Sequence, residues 1–327
     1  MAYWFLGGGL ALLLFGAEAI VRGGVAMSRA LGLSPLVIGL LVVTGGTSAP
    51  EFAVSLQASL DGAGDIAIAN VVGSNILNLL LILGVAALIR PLPSSPKVVL
   101  RDGGAMALAS GAIAVMAADG ALARIEGLAM LAALALYLAT VFLSDWRRSA
   151  EHSVSCARAI ERLEAQAPSA AGGVFFFLFG LVGLAVGSHF AVAGAVGLAR
   201  QLQLSEAAIG LTVVAFGASI PELFVTLIAV ARGRTQIAIG HLIAANVFNS
   251  LGALGATAAV APPAVSPALR ADILAMTAAS VLLLPLLATS WRLTRPRGAL
   301  LVLGYACYLA FVAWRQGLLA PATIGLS

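Results

Sequence analysis

One block of this 327-residue chain is written twice. The run GGTSAPEFAVSLQASLDGAGDIAIANVVGSNILNLLLILG, Gly45 to Gly84, returns as FGASIPELFVTLIAVARGRTQIAIGHLIAANVFNSLGALG, Phe216 to Gly255, at a constant offset of 171 and without a gap. Gly46 falls on Gly217, Ser48 on Ser219, Pro50 on Pro221, Glu51 on Glu222, Ser55 on Thr226, Asn75 on Asn246 and Asn78 on Asn249. A duplicated unit repeats its local structure, so the chain is expected to fold as two like halves with these residues at related points.

Composition supplies the surroundings. Hydrophobic residues make up 61% of the chain and charged residues only 10%, against roughly 25% charged in a water-soluble protein. Soluble domains are excluded, and so much apolar content excludes disorder. Apolar runs near 3–30, 34–60, 66–90, 104–120, 122–144, 173–199, 206–231, 236–261, 270–290 and 299–318 are long enough to cross a bilayer as helices. The fold class is an all-α membrane protein of ten transmembrane helices, with the lipid bilayer as its solvent. The opening MAYWFLGGGLALLLFGAEAI has neither a basic n-region nor a small-residue cleavage site, and reads as a first helix that is kept. Cys156 and Cys307 lie far apart without metal-ligand spacing, which argues against a disulfide framework or a zinc site. No basic cluster carries the interleaved aromatics of a nucleic-acid surface.

The basic residues set the orientation. With the N-terminus outside, all of the 18 Lys and Arg except Arg124, Arg200, Arg270 and Arg315 collect at inward ends and loops, as the positive-inside rule requires. Both termini are then expected outside a prokaryotic cytoplasmic (inner) membrane. The first five spans occupy 1–144 and the second five 173–327. The polar segment between them, 145–172, reads as a cytoplasmic linker. Because each half holds an odd number of spans, the second copy enters the membrane in the opposite sense. Inverted repeats with Gly- and Pro-interrupted helices at matching positions point to a secondary transporter whose site lies near the midplane, between the copies.

Three acidic residues, Glu18, Glu51 and Glu222, fall well inside these spans. An ionised carboxylate at the centre of a helix costs about 3 kcal/mol even on lenient insertion scales, so each needs a partner. Arg22 stands four residues from Glu18 on the same helix and can neutralise it. Glu51 and Glu222 have no such neighbour and are expected to face each other across the pseudo-symmetry axis. A bound cation is the natural partner, with a protonated, hydrogen-bonding pair as the alternative.

Pro50 and Pro221 remove a backbone donor, which frees carbonyls around 44–47 and 215–218. Ser48 and Ser55 share a helical face with Glu51, Ser219 and Thr226 share one with Glu222, and Ser74 and Asn78 stand four apart on the next span. Carboxylate, carbonyl, hydroxyl and amide oxygens without sulfur suit Ca²⁺ or Na⁺ better than a transition metal. The double negative charge is balanced by one divalent ion, by monovalent ions or by protons, and a site that must always be neutralised can exchange one for another.

With GTSAPE at Gly46–Glu51, GSNILN at Gly73–Asn78 and their copies GASIPE and AANVFN, the chain resembles the calcium/cation antiporter superfamily, most closely its prokaryotic sodium/calcium exchanger branch. The resemblance implies Ca²⁺/Na⁺ antiport by alternating access, inorganic cations as substrates, no cofactor, and no enzymatic activity. It also implies that Glu51 and Glu222 are central ligands for both ions. Backbone oxygens of Thr47 and Ala218 would help bind calcium, and Ser48, Ser219 and Ser74 would help bind sodium. Asn78 and Asn249 would complete the cluster, and the first and sixth spans would slide together to switch access. The second repeat departs from the pattern: Ala218 stands for Thr, Ala245 for the Ser matching Ser74, His241 for the Asn matching Asn70, and His189 for Glu18. Fewer sodium ligands and an added imidazole favour Ca²⁺/H⁺ exchange as the alternative. A cation channel built on the same acids is a third reading.

Overall fold

Breaks in the polypeptide at the two repeated prolines organise the whole architecture. The computed structural model describes residues 2–31, 35–151, 169–201 and 215–315. Helix α1 spans Ala2–Leu31. The second span is split into α2a, residues 35–47, and α2b, Ala49–Leu60. Then follow α3 (Gly64–Ile89), α4 (Val98–Asp119), α5 (Arg124–Glu151) and α6 (Ala170–Gln201). The seventh span is split like the second, into α7a (Ala215–Gly217) and α7b (Ile220–Ala231). The last three are α8 (Thr235–Val260), α9 (Pro267–Ala288) and α10 (Arg295–Arg315).

Helices α3 and α8 are strongly apolar with no single polar stripe, and a helix of that kind belongs in the interior. They are the two most buried spans among those described. Outward-facing apolar side chains such as Trp4, Leu108, Ile125 and Leu282 cover the periphery, as the surface of a membrane protein does.

The inverted symmetry is visible in packing the sequence blocks did not cover. The loop strands β1 (Leu92–Pro93) and β2 (Arg292–Leu293) pair antiparallel, with Pro93 opposite Arg292. On the other side of the molecule Ala121 bridges Ala264, and these are the same two positions exchanged by the 171 offset. Likewise a Cβ on Gly127 of α5 would sit 2.6 Å from the Gly255 carbonyl oxygen of α8, and one on Gly298 of α10 would sit 2.7 Å from that of Gly84 of α3. Small residues let these helix backbones approach directly, the usual source of association where lipid gives no hydrophobic drive. Helices α1 and α6 meet along a seam of the same kind, Gly9, Gly16 and Gly23 against Gly187, Gly180 and Gly173.

Three boundaries differ from expectation. Helix α4 begins at Val98, wound as a π-helix to Gly103, where a start near 104 is expected, so Arg101 and Asp102 lie within it. Helix α5 continues to Glu151, into the segment assigned to the linker, and residues 152–168, with most of 145–172, lie outside the described residues. The seventh span is described only from Ala215.

Candidate cation site

Ser48 and Ser219 mark the two breaks, with φ, ψ of −82°, 1° and −95°, 9°. Neither residue extends the preceding helix, and the proline two positions on lacks the N–H that would bond back to the carbonyl four residues earlier. Those carbonyls belong to Gly46 and Gly217. The Gly217 oxygen instead accepts a hydrogen bond from the Ser188 hydroxyl of α6 at 3.1 Å. Glu51 and Glu222 occupy the first turns of α2b and α7b, where unpaired backbone N–H groups favour negative charge.

Both glutamates are fully buried and interact electrostatically with each other. Among the described residues, none of their four carboxylate oxygens has a hydrogen-bond partner. The same holds for the hydroxyls of Ser48, Ser219 and Thr226 and for both amide atoms of Asn78 and Asn249, all of them buried. Buried polar atoms are nearly always satisfied. An unpartnered set this large, drawn mostly from equivalent positions of the two repeats, is the mark of a shell built for something the polypeptide does not supply. Asn78 and Asn249 sit in π-helical turns, Leu77–Ile82 and Phe248–Ala253, a local winding often found at functional sites. Thr47 is buried and its hydroxyl donates to the Val43 carbonyl at 3.2 Å, which leaves the hydroxyl lone pairs and the backbone oxygen to offer. Ser74 is buried and Ala218 half-buried, both on the wall of a cavity of about 690 Å³.

That cavity lies between α6, through Ser188, His189 and Val192, and α2b and α3, through Val54, Ile66 and Asn70. It opens on the side of the α2b–α3 turn and reaches the site at Ser74 and Ala218. The 171 offset turns each wall residue into its counterpart on α1, α2a, α7b or α8. Val54 is 48% exposed and Val225 0%; Ile66 is 60% exposed and Ile237 0%. Helix α1 packs along α7b, whereas the equivalent faces of α6 and α2b stand across the cavity. Among the described residues, which leave out 202–214 at the start of the seventh span, the cavity reaches the site from one side and its counterpart on the other side is closed.

Residues 1–143 and 172–314 match the family described as sodium/calcium exchanger protein, two segments again 171 apart. The chain belongs to this family. Sodium/calcium exchanger MaX1 of Methanosarcina acetivorans is 31% identical, over 92% of this chain and 95% of that protein. Inner membrane protein YrbG of Escherichia coli is 35% identical over 95% and 96%. A solved structure of the sodium-calcium exchanger NCX_Mj superposes with a TM-score of 0.82 at 29% identity, covering 95% of this chain and 98% of that one. As a member of the exchanger family the chain is a membrane transporter and not an enzyme, with ten helices in two inverted halves.

Several charged residues of this exchanger escaped the sequence reading. Two further acids lie inside spans: Asp102 is fully buried on α4 and Asp272 nearly so on α9, which corrects the count of three. Asp102 accepts from the Arg101 guanidinium at 2.6 and 2.9 Å and from the Tyr137 hydroxyl at 3.3 Å. Asp272 accepts from Arg315 at 2.8 Å and Tyr308 at 3.2 Å. Each carries its own arginine, so neither resembles the unpartnered glutamates. Glu18 does pair with Arg22, at 2.6 Å, but also with Arg232 at the end of α7b, at 2.9 Å. His241 is fully buried, its Nδ1 3.2 Å from the Thr44 hydroxyl and its Nε2 without a partner among the described residues. Its counterpart Asn70 instead donates to the Glu51 carbonyl and to the Ser55 hydroxyl, at 3.2 and 2.9 Å.

Proposed function

We propose that this protein exchanges Ca²⁺ for Na⁺ across a prokaryotic cytoplasmic membrane, with the sodium gradient driving calcium outward. The observation that carries the reading is the pair of fully buried glutamates whose oxygens find no protein partner. Two carboxylates in lipid-enclosed protein require compensating positive charge. Glu51 and Glu222 are the shared ligands. The carbonyls of Thr47 and Ala218 and the side chains of Asn78 and Asn249 bring the oxygen count toward the roughly 6–8 that calcium takes. Ser48, Ser219 and Ser74 serve sodium. Because the same acids must be neutralised by whichever ion is present, one cation leaves as another arrives. With both termini outside, as the basic residues require, the open cavity faces outward.

Ca²⁺/H⁺ exchange is the second reading, favoured by Ala245, which removes one hydroxyl, and by the buried imidazole of His241. Calcium uptake into vesicles holding the purified protein separates the two. Uptake driven by an imposed sodium gradient at equal pH supports the sodium reading. Uptake driven by a pH gradient alone and indifferent to sodium overturns it. Calcium flux that is unaffected by any cation on the opposite face indicates a channel.

A further inference from the structure

The Glu18–Arg232 ion pair spans the boundary between α1 and α7b, whose counterpart between α6 and α2b stands parted across the cavity. Glu18 belongs to α1, which is seamed to α6 by glycines along its length. Arg232 caps the C-terminal end of α7b, on the sealed side. Arg232 donates through Nε at 2.9 Å to one carboxylate oxygen, and its Nη2 lies 2.9 Å from the other. A two-point guanidinium–carboxylate pair of this kind has fixed geometry, and it cannot survive displacement of α1 along α7b. Arg22 rides on α1 and holds Glu18 at 2.6 Å, so the acid stays neutralised when Arg232 departs. Releasing the contact therefore strands no charge, which is what a reversible catch needs.

The offset of 171 that maps one repeat on the other carries Glu18 to His189 and Asp61 to Arg232. A contact between an acid on α1 and a base at the end of α7b thus has as its inverted image a base on α6 and an acid at the end of α2b. The signs are exchanged but remain complementary. In this state the second pair is parted: His189 is exposed on the cavity wall beside the Phe190 ring, and Asp61 is exposed and held by the Gln57 amide at 2.9 Å. We infer that Glu18–Arg232 and His189–Asp61 are alternate latches, the first closing the side sealed here and the second closing the side now open. An imidazole is a weaker partner for a carboxylate than a two-point guanidinium. The difference biases the resting protein toward the state open at His189.

This inference rests on the exchange reading for its purpose but not for its test. In a background with Cys156→Ser and Cys307→Ser, Val54→Cys reports the open side and Val225→Cys the sealed side through reaction with an impermeant maleimide in vesicles. Glu18→Gln and, separately, Arg232→Gln are expected to raise labelling at position 225 and lower it at 54 by about two- to fivefold, the range of a partly exposed ion pair. The double variant is expected to go no further than either single one. Asp61→Asn is expected to act in the opposite direction under calcium turnover. Arg232→Gln leaves Glu18–Arg22 intact and so remains informative if Glu18→Gln misfolds. Unchanged labelling, additive singles, or Asp61→Asn shifting the same way as Arg232→Gln overturns the latches. Wild-type vesicles that show no cation exchange while labelling responds as stated keep the latches and overturn the exchange reading instead.

Discussion

Val54 and Val225 are the same side chain at the same point of the same motif, and they end in opposite surroundings: one lines an open cavity, the other is sealed. Ile66 and Ile237 repeat the contrast. Val225 is covered where α1 packs along α7b and Ile237 where α2a meets α8 at Gly39, so the difference belongs to the neighbouring helices and not to the residues themselves. If the chain works by alternating access, two halves of like sequence in unlike surroundings are one of two arrangements of similar energy. Where the halves differ in sequence, at Glu18 and His189, Asn70 and His241, Ser74 and Ala245, the chain has room to bias that equilibrium and to make its ions bind unequally.

The comparison breaks first at its point of greatest likeness. Glu51 and Glu222 are both fully buried and unpartnered, so Glu51→Gln and Glu222→Gln are expected to be equally damaging. At an effective dielectric constant of about 20, a unit charge some 4 Å from another contributes on the order of 4 kcal/mol, roughly a thousandfold in affinity. Removing either acid is expected to abolish calcium exchange in vesicles while the protein still folds, because amide groups replace charges that had no partner. A single variant that keeps exchange would mean that the two halves do not share one site.

The next effect separates the halves. Each carries an Asp–Tyr–Arg clasp, and Tyr137 and Tyr308 stand 171 apart, but the arginine comes from α4 in the first half and from α10 in the second. Arg101 and Asp102 are neighbours on one helix with Asp102 fully buried, and Arg101 reaches the Ser144 hydroxyl at 2.7 Å. Position 144 is where the offset places Arg315. The pair Arg315–Asp272 is more open, with side-chain exposures of 25% and 9%. Removing one partner of a buried pair leaves the other uncompensated, at about 3–5 kcal/mol. Asp102→Ala is expected to cost about that much and Asp272→Ala about half, read as a loss of detergent thermal stability at unchanged calcium affinity. Equal losses would mean that burial of the pair does not set the cost.

These clasps also show where sequence reading ends. The repeat, the broken spans and the buried glutamates were legible because each leaves a local trace: a motif, a proline, a charge within an apolar run. Asp102 sits beside Arg101 ahead of a run starting near 104, and a charged dipeptide there reads as the end of a loop. Only its tyrosine partner 35 positions on shows otherwise. The signal that could have found it is Tyr137 recurring as Tyr308 outside the obvious repeat. Arg232 reaches Glu18 from 214 residues away, and Ser188 reaches the Gly217 carbonyl from another helix. Neither contact has a sequence period. The unequal burial of Val54 and Val225 or of Ile66 and Ile237 is beyond any reading of a repeat, since identical residues cannot announce which copy is buried.

The smallest expected effect sharpens the comparison at Ala245. Its counterpart Ser74 is buried at the cavity's inner end, whereas Ala245 is fully buried and brings no oxygen. If sodium uses a hydroxyl from each half, this chain has one half-equipped position. A gained ligand hydroxyl is worth roughly 0.5–1.5 kcal/mol, so Ala245→Ser is expected to lower the sodium concentration for half-maximal calcium exchange by about two- to tenfold. Ser74→Ala should raise it by a similar factor, and calcium affinity should move little in either case, because calcium leans on the carboxylates. The pair of variants also weighs the coupling ions against each other. A sodium dependence that responds to position 74 but not to position 245 would place sodium in the first half alone, and one that responds to neither would favour protons as the exchanged ion.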